Sequence, residues 1–183
     1  MADVVLVGLP GTGKTSVGRA LADVLGLAFR DTDDVFAERE GESVQEYLRA
    51  HDEAQFRQHE YEALLAALEG PGVVATGGGS VSLAPAREAL RHEVTIWLDC
   101  PDDVIVTRLA DGDRPLLGED PAARLAELRA RRGEWYRAPS WSSRQPSHHP
   151  RASRYRNRFC SYRSQAFRNP SQLAVCRTGC LCH

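Results

Sequence analysis

Gly8-Leu9-Pro10-Gly11-Thr12-Gly13-Lys14-Thr15, near the start of the chain, follows the pattern G-x-x-x-x-G-K-[ST]. Glycines allow the backbone to curl so tightly that consecutive N–H groups can point at one anion. Lys14 would add a positive charge for the β- and γ-phosphates of a nucleotide, and the Thr15 hydroxyl is a suitable ligand for Mg²⁺. The stretch therefore predicts a P-loop that binds ATP through Gly11, Thr12, Gly13, Lys14 and Thr15.

The residues on either side of this loop support the prediction. The apolar run Val4–Val7 before it is typical of a buried parallel strand. After it, Val17, Leu21 and Leu25 recur at helical spacing, so a helix N-terminus would add its dipole to the anion site. The alternative, a glycine-rich turn that binds nothing, requires neither a strand before it nor a helix after it.

The composition indicates one globular domain with an anomalous end. The chain has 183 residues, of which 42% are hydrophobic, and it contains no run approaching the roughly 20 apolar residues of a membrane span. Met1-Ala2-Asp3 leads directly into the first strand and leaves no room for a signal peptide, so we expect a cytoplasmic protein. Residues 1–134 carry a net charge of −11, whereas residues 135–183 carry +9 and four of the five cysteines. Such a break usually marks a boundary.

Acidic residues follow the predicted second strand, Leu27–Arg30. Asp31-Thr32-Asp33-Asp34 would lie at the carboxyl edge of the sheet, where open α/β sheets bind their ligands. The same residues could instead cap a helix, since carboxylates are favoured at helix N-termini. The two interpretations are compatible if Asp33 caps the helix while Asp31 serves a metal ion, and the sequence leaves them open.

The rest of the chain to residue 137 alternates between predicted helices and strands. Helices are expected over residues 35–69, with a break at Gly41, and strands over Val73–Thr76 and Val94–Leu98. Gly77-Gly78-Gly79 follows the third strand and would allow a ligand to approach the backbone closely, or would simply form a sharp turn. Arg57 could be a solvated surface charge. A glycine-rich, charged segment at about residues 110–120 is typical of a mobile lid, or of a plain loop.

This β-α-β-α-β-α-β-α order predicts a three-layer α/β/α fold with a parallel sheet. Six short motifs in register make the chain resemble the shikimate kinases between residue 3 and about residue 137. These motifs are Gly8 to Thr15, Asp31-Thr32-Asp33, Phe56-Arg57-x-x-Glu60, Gly77-Gly78-Gly79, Arg114-Pro115-Leu116-Leu117 and Arg132-x-x-x-Tyr136.

The resemblance implies an enzyme that transfers phosphate from ATP, with Mg²⁺, to the 3-hydroxyl of shikimate, a step in the synthesis of chorismate and the aromatic amino acids. It also implies a five-stranded sheet of order 2-3-1-4-5. Lys14 and the P-loop amides would hold the phosphates, and Thr15 with Asp31 would hold the metal. Asp33 would bind the shikimate hydroxyls and act as the base, and Arg114 would reach from the lid toward the transferred phosphoryl group. Arg57 and Arg132 would bind the shikimate carboxylate, and Gly78 and Gly79 would bring the backbone close to the substrate.

Residues 138–183 depart from this family. They show neither helical nor strand periodicity and mix Ser, Arg, Pro, His and Cys, where the family would continue with a fifth edge strand. We expect that strand to be missing, so that the sheet order is 2-3-1-4. An out-of-frame C-terminus explains the composition best. The alternatives are a basic tail that binds nucleic acid and a metal site built from Cys176, Cys180, Cys182 and His183.

The sequence thus predicts a P-loop kinase domain over residues 1–137 and an atypical tail over residues 138–183. We expect a monomer whose partner is the small molecule shikimate, without binding to membranes or nucleic acid. Two rival hypotheses stay open: another kinase of this fold, such as a gluconate kinase, and an ATP-binding protein whose activity is impaired by the altered tail.

Overall fold

The computed structural model of the protein describes residues 1–110 and 120–137. Four short strands alternate with seven α-helices over this part of the chain, and a 3₁₀ turn covers Ser80–Ser82. The strands are β1 (Val4–Val7), β2 (Phe29–Asp31), β3 (Val73–Ala75) and β4 (Thr95–Trp97). The helices are α1 (Lys14–Leu25), α2 (Thr32–Glu40), α3 (Val44–Ala50), α4 (Glu53–Ala67), α5 (Ala84–Arg91), α6 (Asp102–Ala110) and α7 (Pro121–Arg137).

The four strands form one parallel sheet in the order β2-β3-β1-β4. Leu6 of β1 pairs with Ala75 of β3 and with Ile96 of β4, and Asp31 of β2 pairs with the same Ala75. Parallel strands place all their carboxyl ends at one edge, and helices must then return the chain across the two faces. The predicted fold class and strand order are confirmed. The expectation that a fifth strand is missing concerns residues 138–183, which lie outside the described residues.

Both faces of the sheet are covered. Val5 and Val7 of β1 pack into the larger core, which includes residues of α4, α5, α6 and α7, whereas Val4 and Leu6 pack against α1. Successive strand residues point to opposite faces, so an apolar run such as Val4–Val7 buries all four side chains only when both faces carry helices. This arrangement is the three-layer α/β/α architecture expected from the sequence.

A separate small core joins α2, α3 and α4 beside the sheet. Phe36, Tyr47 and Phe56 form its centre, with Phe36 in an edge-on contact with Tyr47 at 5.3 Å between ring centroids. α3 starts with a capping box between Ser43 and Glu46, and Gly41 ends α2 in the left-handed conformation that favours glycine. α2 carries Asp33 and α4 carries Arg57, so this small core joins the two helices that bear these candidate site residues.

The structure differs from the sequence expectations at a few boundaries. β2 begins at Phe29 and includes Asp31, two residues later than predicted. The segment Ser80–Ser82, which the sequence analysis had not predicted to be helical, forms a 3₁₀ turn directly after the three glycines. In the described ranges no helix combines the length and apolarity needed to span a bilayer. The proposed lid with Arg114 falls mostly, and the tail entirely, outside the described residues.

Candidate active site

The P-loop runs from the end of β1 into the first turn of α1. Gly11 and Gly13 have φ values of 76° and 90°, which glycine adopts without steric cost, and Gly13 is the N-cap of α1. The buried Thr12 hydroxyl donates to the Leu9 carbonyl over 2.8 Å. The Lys14 ammonium donates to the carbonyls of Gly8 and Leu9, each over 2.9 Å. The N-terminus of α1 and a lysine therefore meet at one anion-binding position.

Thr15 and Asp31 meet next to this loop. The Thr15 hydroxyl donates to Oδ2 of Asp31 over 2.7 Å, while Oδ1 of Asp31 accepts the backbone N–H of Asp33. Asp31 is therefore the N-cap of α2, and the alternative in which Asp33 caps this helix is wrong. One carboxylate can accept from the Thr15 hydroxyl and also cap α2, because its two oxygens point in different directions. A hydroxyl and a carboxylate side by side form the kind of oxygen donor set that Mg²⁺ prefers.

Asp33 lies opposite the first of the three glycines. A Cβ atom built on Gly77 would come within 2.9 Å of Oδ1 of Asp33 and 3.0 Å of Oε1 of Glu60. The Gly77 N–H donates to the Thr32 hydroxyl over 2.7 Å, which ties the glycine loop to the start of α2. The absence of a side chain at Gly77 thus leaves Asp33 beside the carboxyl edge of the sheet.

Arg57 projects from α4 against the last of these glycines. Its guanidinium donates to Glu60 over 2.7 Å and to Glu53 over 3.1 Å, and only 17% of its side chain is exposed. Burial alone would lower the pKa of Arg57, but the two carboxylates outweigh it and raise the pKa above its usual value. A Cβ on Gly79 would overlap Nη1 of Arg57. Arg57 is therefore a fixed, half-buried cation and not the solvated surface charge considered as an alternative.

Arg132 and Tyr136 of α7 converge on the middle glycine. Nη1 of Arg132 donates to the Gly78 carbonyl over 2.9 Å, and the Tyr136 hydroxyl donates to the same oxygen over 2.5 Å. These two residues are four positions apart and so lie on one face of the helix. Burial raises the pKa of Tyr136 from 10.0 to about 12, which keeps its hydroxyl protonated as a donor.

The glycine loop touches the P-loop directly. A Cβ on Gly78 would lie 2.6 Å from the ring of Pro10 and 2.8 Å from its backbone nitrogen. Pro10 is the third residue of the P-loop motif. Gly78 consequently allows the two loops to be in contact, and this contact places the phosphate end of the site next to the group formed by Asp33, Arg57 and Arg132.

The structure thus brings together the described residues that the sequence analysis had selected. Asp31 lies next to the P-loop, where it contacts Thr15. The glycine segment that contains Gly78 and Gly79 is contacted by Asp33, Arg57 and Arg132. Arg114 lies outside the described residues. Glu60 and Tyr136 had been quoted within motifs but given no role. For Glu60 the i,i+3 spacing from Arg57 was an available signal.

Arg108 of α6 is a site neighbour that the sequence analysis had missed. Its Nη1 lies 3.5 Å from the Gly11 carbonyl and 3.8 Å from Sγ of Cys100. A Cβ on Gly13 would be 3.7 Å from the same nitrogen. Arg108 is 95 residues from Gly13, and no local pattern indicates such a contact, so only the folded structure could show it.

The family model and the curated relatives identify the same family. The model of the family described as shikimate kinase matches residues 10–157, which extends 20 residues beyond the predicted end of the kinase domain at residue 137. The shikimate kinase of Symbiobacterium thermophilum is 44% identical over 141 residues, covering 73% of this chain and 80% of the relative. That of Salinispora arenicola is 43% identical over 137 residues, covering 73% and 81%.

Solved structures give the same result. Shikimate kinase from Acinetobacter baumannii in complex with shikimate has a TM-score of 0.72 and 30% identity, covering 90% of this chain and 94% of that one. Shikimate kinase from Bacteroides thetaiotaomicron has a TM-score of 0.68 and 29% identity, covering 74% and 81%. With its P-loop, its glycine loop and these relatives, the chain belongs to the shikimate kinase family.

Proposed function

We propose that this chain is an enzyme that transfers the γ-phosphoryl group of ATP to the 3-hydroxyl of shikimate. The observation that carries the proposal is the contact between the P-loop and the glycine loop at Pro10 and Gly78. It places a phosphate cradle beside a cluster of two arginines and a carboxylate. Phosphoryl transfer depends on positioning and charge stabilisation, for which such a pair of adjoining subsites is suited.

The shikimate carboxylate is assigned to Arg57 and Arg132. These guanidinium groups lie against neighbouring glycines, Gly79 and Gly78. Guanidinium is well matched to a carboxylate because its planar fork can donate two parallel hydrogen bonds. Arg57 is already held by Glu60 and Glu53, so little of its rotamer freedom would be lost on binding.

Asp33 is assigned to the hydroxyl groups of shikimate. Its Oδ1 would lie 2.9 Å from a Cβ built on Gly77, the first residue of the glycine loop. As the 3-hydroxyl oxygen attacks the γ-phosphorus and ADP leaves, Asp33 would accept the hydroxyl proton. Lys14 would stabilise the charge on the transferred group, as would Arg114 from the lid at about residues 110–120, which is proposed from the sequence.

Thr15 and Asp31 are the residues that would hold Mg²⁺. A bound divalent cation would neutralise charge on the β- and γ-phosphates. The hydrogen bond between the two side chains places both oxygen donors at the end of the P-loop. In the same proposal the kinase domain spans residues 1–137 and residues 138–183 are an atypical, out-of-frame basic tail. The protein is a cytoplasmic monomer that does not bind nucleic acid.

The reaction is tested with the full chain, ATP, Mg²⁺ and shikimate, followed by ³¹P NMR for a new phosphate monoester. We expect ADP and shikimate phosphorylated at the 3-hydroxyl, with no comparable product when gluconate replaces shikimate. A preference for gluconate would favour the rival kinase. ATP binding without any phosphorylated product would favour the impaired protein.

A matched pair of variants tests the assignment of the base. Asp33→Asn should lower kcat by about 10²- to 10⁴-fold, the usual contribution of a positioned general base. Asp34→Asn is the control, because Asp34 is the next residue on α2 and is exposed like Asp33, but its carboxylate lies 3.8 Å from Arg19 and is not among the groups beside the glycine loop. Equal loss in both variants would contradict the role of Asp33.

A further inference from the structure

Arg87 lies on α5, outside the group of residues assigned to ligands. Its Nη1 donates to the carbonyl of Val81 over 2.8 Å and to that of Ser82 over 2.9 Å. These carbonyls end the 3₁₀ turn that follows the three glycines, where carbonyl groups have no partner inside the turn. Arg87 therefore fixes the segment on the C-terminal side of the glycine loop.

The same guanidinium also contacts α7. Its central carbon lies 4.8 Å from the centroid of the Trp135 ring, within the distance of a cation–π interaction. Trp135 stands directly before Tyr136 and three residues after Arg132, the two residues that donate to the Gly78 carbonyl. One side chain thus links the end of the glycine loop to the turn of α7 that carries Arg132.

We propose that Arg87 is a positioning residue for the carboxylate subsite, which it serves by holding the glycine loop and the last turns of α7 in a fixed relation. This inference rests on the proposed function, since the carboxylate is that of shikimate. Arg132 must be directed at the carboxylate from α7, while Gly78 and Gly79 must approach it from the loop. The Arg87 side chain contacts both supports, and the proposal assigns it no contact with the ligand.

The P-loop is supported mainly by other elements, although Pro10 touches Gly78 of the glycine loop. A Cβ built on the P-loop glycines would meet Leu98 after β4 and Ile105, Arg108 and Leu109 of α6, and Arg87 is not among these neighbours. Loss of Arg87 should therefore weaken the binding of shikimate and leave that of ATP nearly unchanged. A side chain that only stabilises the fold would affect both ligands, or neither, at temperatures well below the unfolding transition.

Binding measurements on the full chain test this expectation. In Arg87→Ala we expect the Kd for shikimate to rise about tenfold and the Kd for a non-hydrolysable ATP analogue to stay within about twofold. In turnover the change should appear in the KM for shikimate more than in kcat. Arg91→Ala is the matched control, because Arg91 is one helical turn further along α5, is 62% exposed and faces Glu88. Its two Kd values should match those of the wild type.

A conservative series covers the case in which Arg87→Ala does not fold. Arg87→Lys keeps the charge and a nitrogen that can donate to both carbonyls, as Nη1 of Arg87 does, but it loses the planar guanidinium that lies over the Trp135 ring. We therefore expect a smaller rise in the Kd for shikimate than in Arg87→Ala. Trp135→Phe should retain most of the affinity, and Trp135→Leu should lose part of it. Wild-type shikimate affinity in Arg87→Lys and Trp135→Leu together would overturn the proposal.

Hydrogen exchange separates a failure of this inference from a failure of the proposed function, because it needs no ligand. Arg87→Ala should speed exchange both in peptides covering residues 77–83 and in those covering residues 130–137, with no change around residues 8–15. If the wild type does not bind shikimate but this paired effect is present, the proposed function fails and the positioning role stands. Faster exchange in only one of the two segments, or in neither, overturns the positioning role whatever shikimate does.

Discussion

The candidate active site has two ends that are built in different ways: a phosphate end at the P-loop and a carboxylate end, which is proposed to bind the shikimate carboxylate. The phosphate end consists of eight consecutive residues between one strand and one helix, and its polar groups are mostly backbone N–H groups and one lysine. The carboxylate end takes Asp33 from α2, Arg57 from α4, the glycines after β3 and Arg132 from α7. Its residues are separated by as many as 99 positions in the sequence and meet only in the folded chain.

This difference indicates how each end should respond to substitution. The shape of a site made of consecutive backbone groups depends on the conformation of its glycines and on one helix N-terminus. Its chemistry depends mainly on single charged side chains. A site whose residues come from several elements depends on the residues that hold those elements together. Examples are Glu60, which accepts from Arg57, and Tyr136, which donates to the Gly78 carbonyl. The predictions below test whether the two ends can be disturbed separately.

The largest effect is expected at the phosphate end. Lys14→Ala should lower kcat by on the order of 10²-fold or more, because the transition-state charge on the γ-phosphoryl group loses its nearest fixed cation. The Kd for shikimate should change little. Steady-state kinetics with ATP and shikimate check both values, and turnover like that of the wild type in the purified variant would contradict the P-loop assignment.

A second effect is expected at the carboxylate end. Arg132→Ala should weaken shikimate binding by roughly 1.5–3 kcal/mol, the usual value of a hydrogen bond to a charged group. Arg131→Ala is the matched control, since Arg131 is its neighbour on α7, is 63% exposed and forms an ion pair with Glu127 over 3.3 Å. Calorimetric titration with shikimate checks the pair, and similar losses in both variants would argue against a specific role for Arg132.

The carboxylate end should also respond to alkaline pH. Tyr136 has a pKa of about 12 in the folded chain against 10.0 when unperturbed, so the unfolded state releases its proton first as the pH rises. The contribution of the protonated Tyr136 to the free energy of unfolding is therefore complete below pH 10. Between about pH 10 and 12 the free energy of unfolding falls by roughly 2–3 kcal/mol as this contribution is lost. In Tyr136→Phe the unfolding free energy should decline less over this range, and Tyr61→Phe on α4 serves as the control. Denaturant unfolding at several pH values measures the difference, and identical slopes in all three proteins would contradict the assignment.

The smallest effect is expected at a position of α7 that is next to Arg132 in sequence but where an added Cβ would touch neither end. Gly133 lies inside α7, where an added Cβ would meet nothing within 4 Å. Gly133→Ala should raise the free energy of unfolding by about 0.4–1 kcal/mol, because alanine loses less backbone entropy in a helix. Urea denaturation measures this gain. Unchanged Kd values for shikimate and ATP would confirm that the stability of α7 alone does not determine ligand affinity at either end.

The same contrast explains what the sequence could predict. The strand order, the layers and the P-loop follow from contiguous patterns, such as Val4–Val7 before Gly8, in which local periodicity decides the structure. The substrate residues could be selected because the motifs resemble a family, although their mutual contacts could not be read from spacing. Asp31 as the helix cap could not be distinguished from Asp33, since both are carboxylates within three residues of a helix start.

Other features depended on tertiary contacts alone. The approach of Arg87 to Trp135 joins residues 48 positions apart, and the packing of Pro10 against Gly78 joins residues 68 positions apart. No propensity or periodicity encodes such pairs. The 3₁₀ turn Ser80–Ser82 is likewise held by residues of other elements. The Ser80 hydroxyl donates to Glu60, and the carbonyl of Val81 accepts from Arg87.

The separate construction of the two ends is tested most directly by measuring both ligands on one variant, Arg57→Ala. Calorimetric titration of the full chain with shikimate and with a non-hydrolysable ATP analogue gives the two dissociation constants under the same conditions. The account predicts a loss of roughly 1.5–3 kcal/mol for shikimate, as for a charge-assisted hydrogen bond, and a change within about twofold for the nucleotide. Equal weakening of the two ligands, or full shikimate affinity without Arg57, would contradict it.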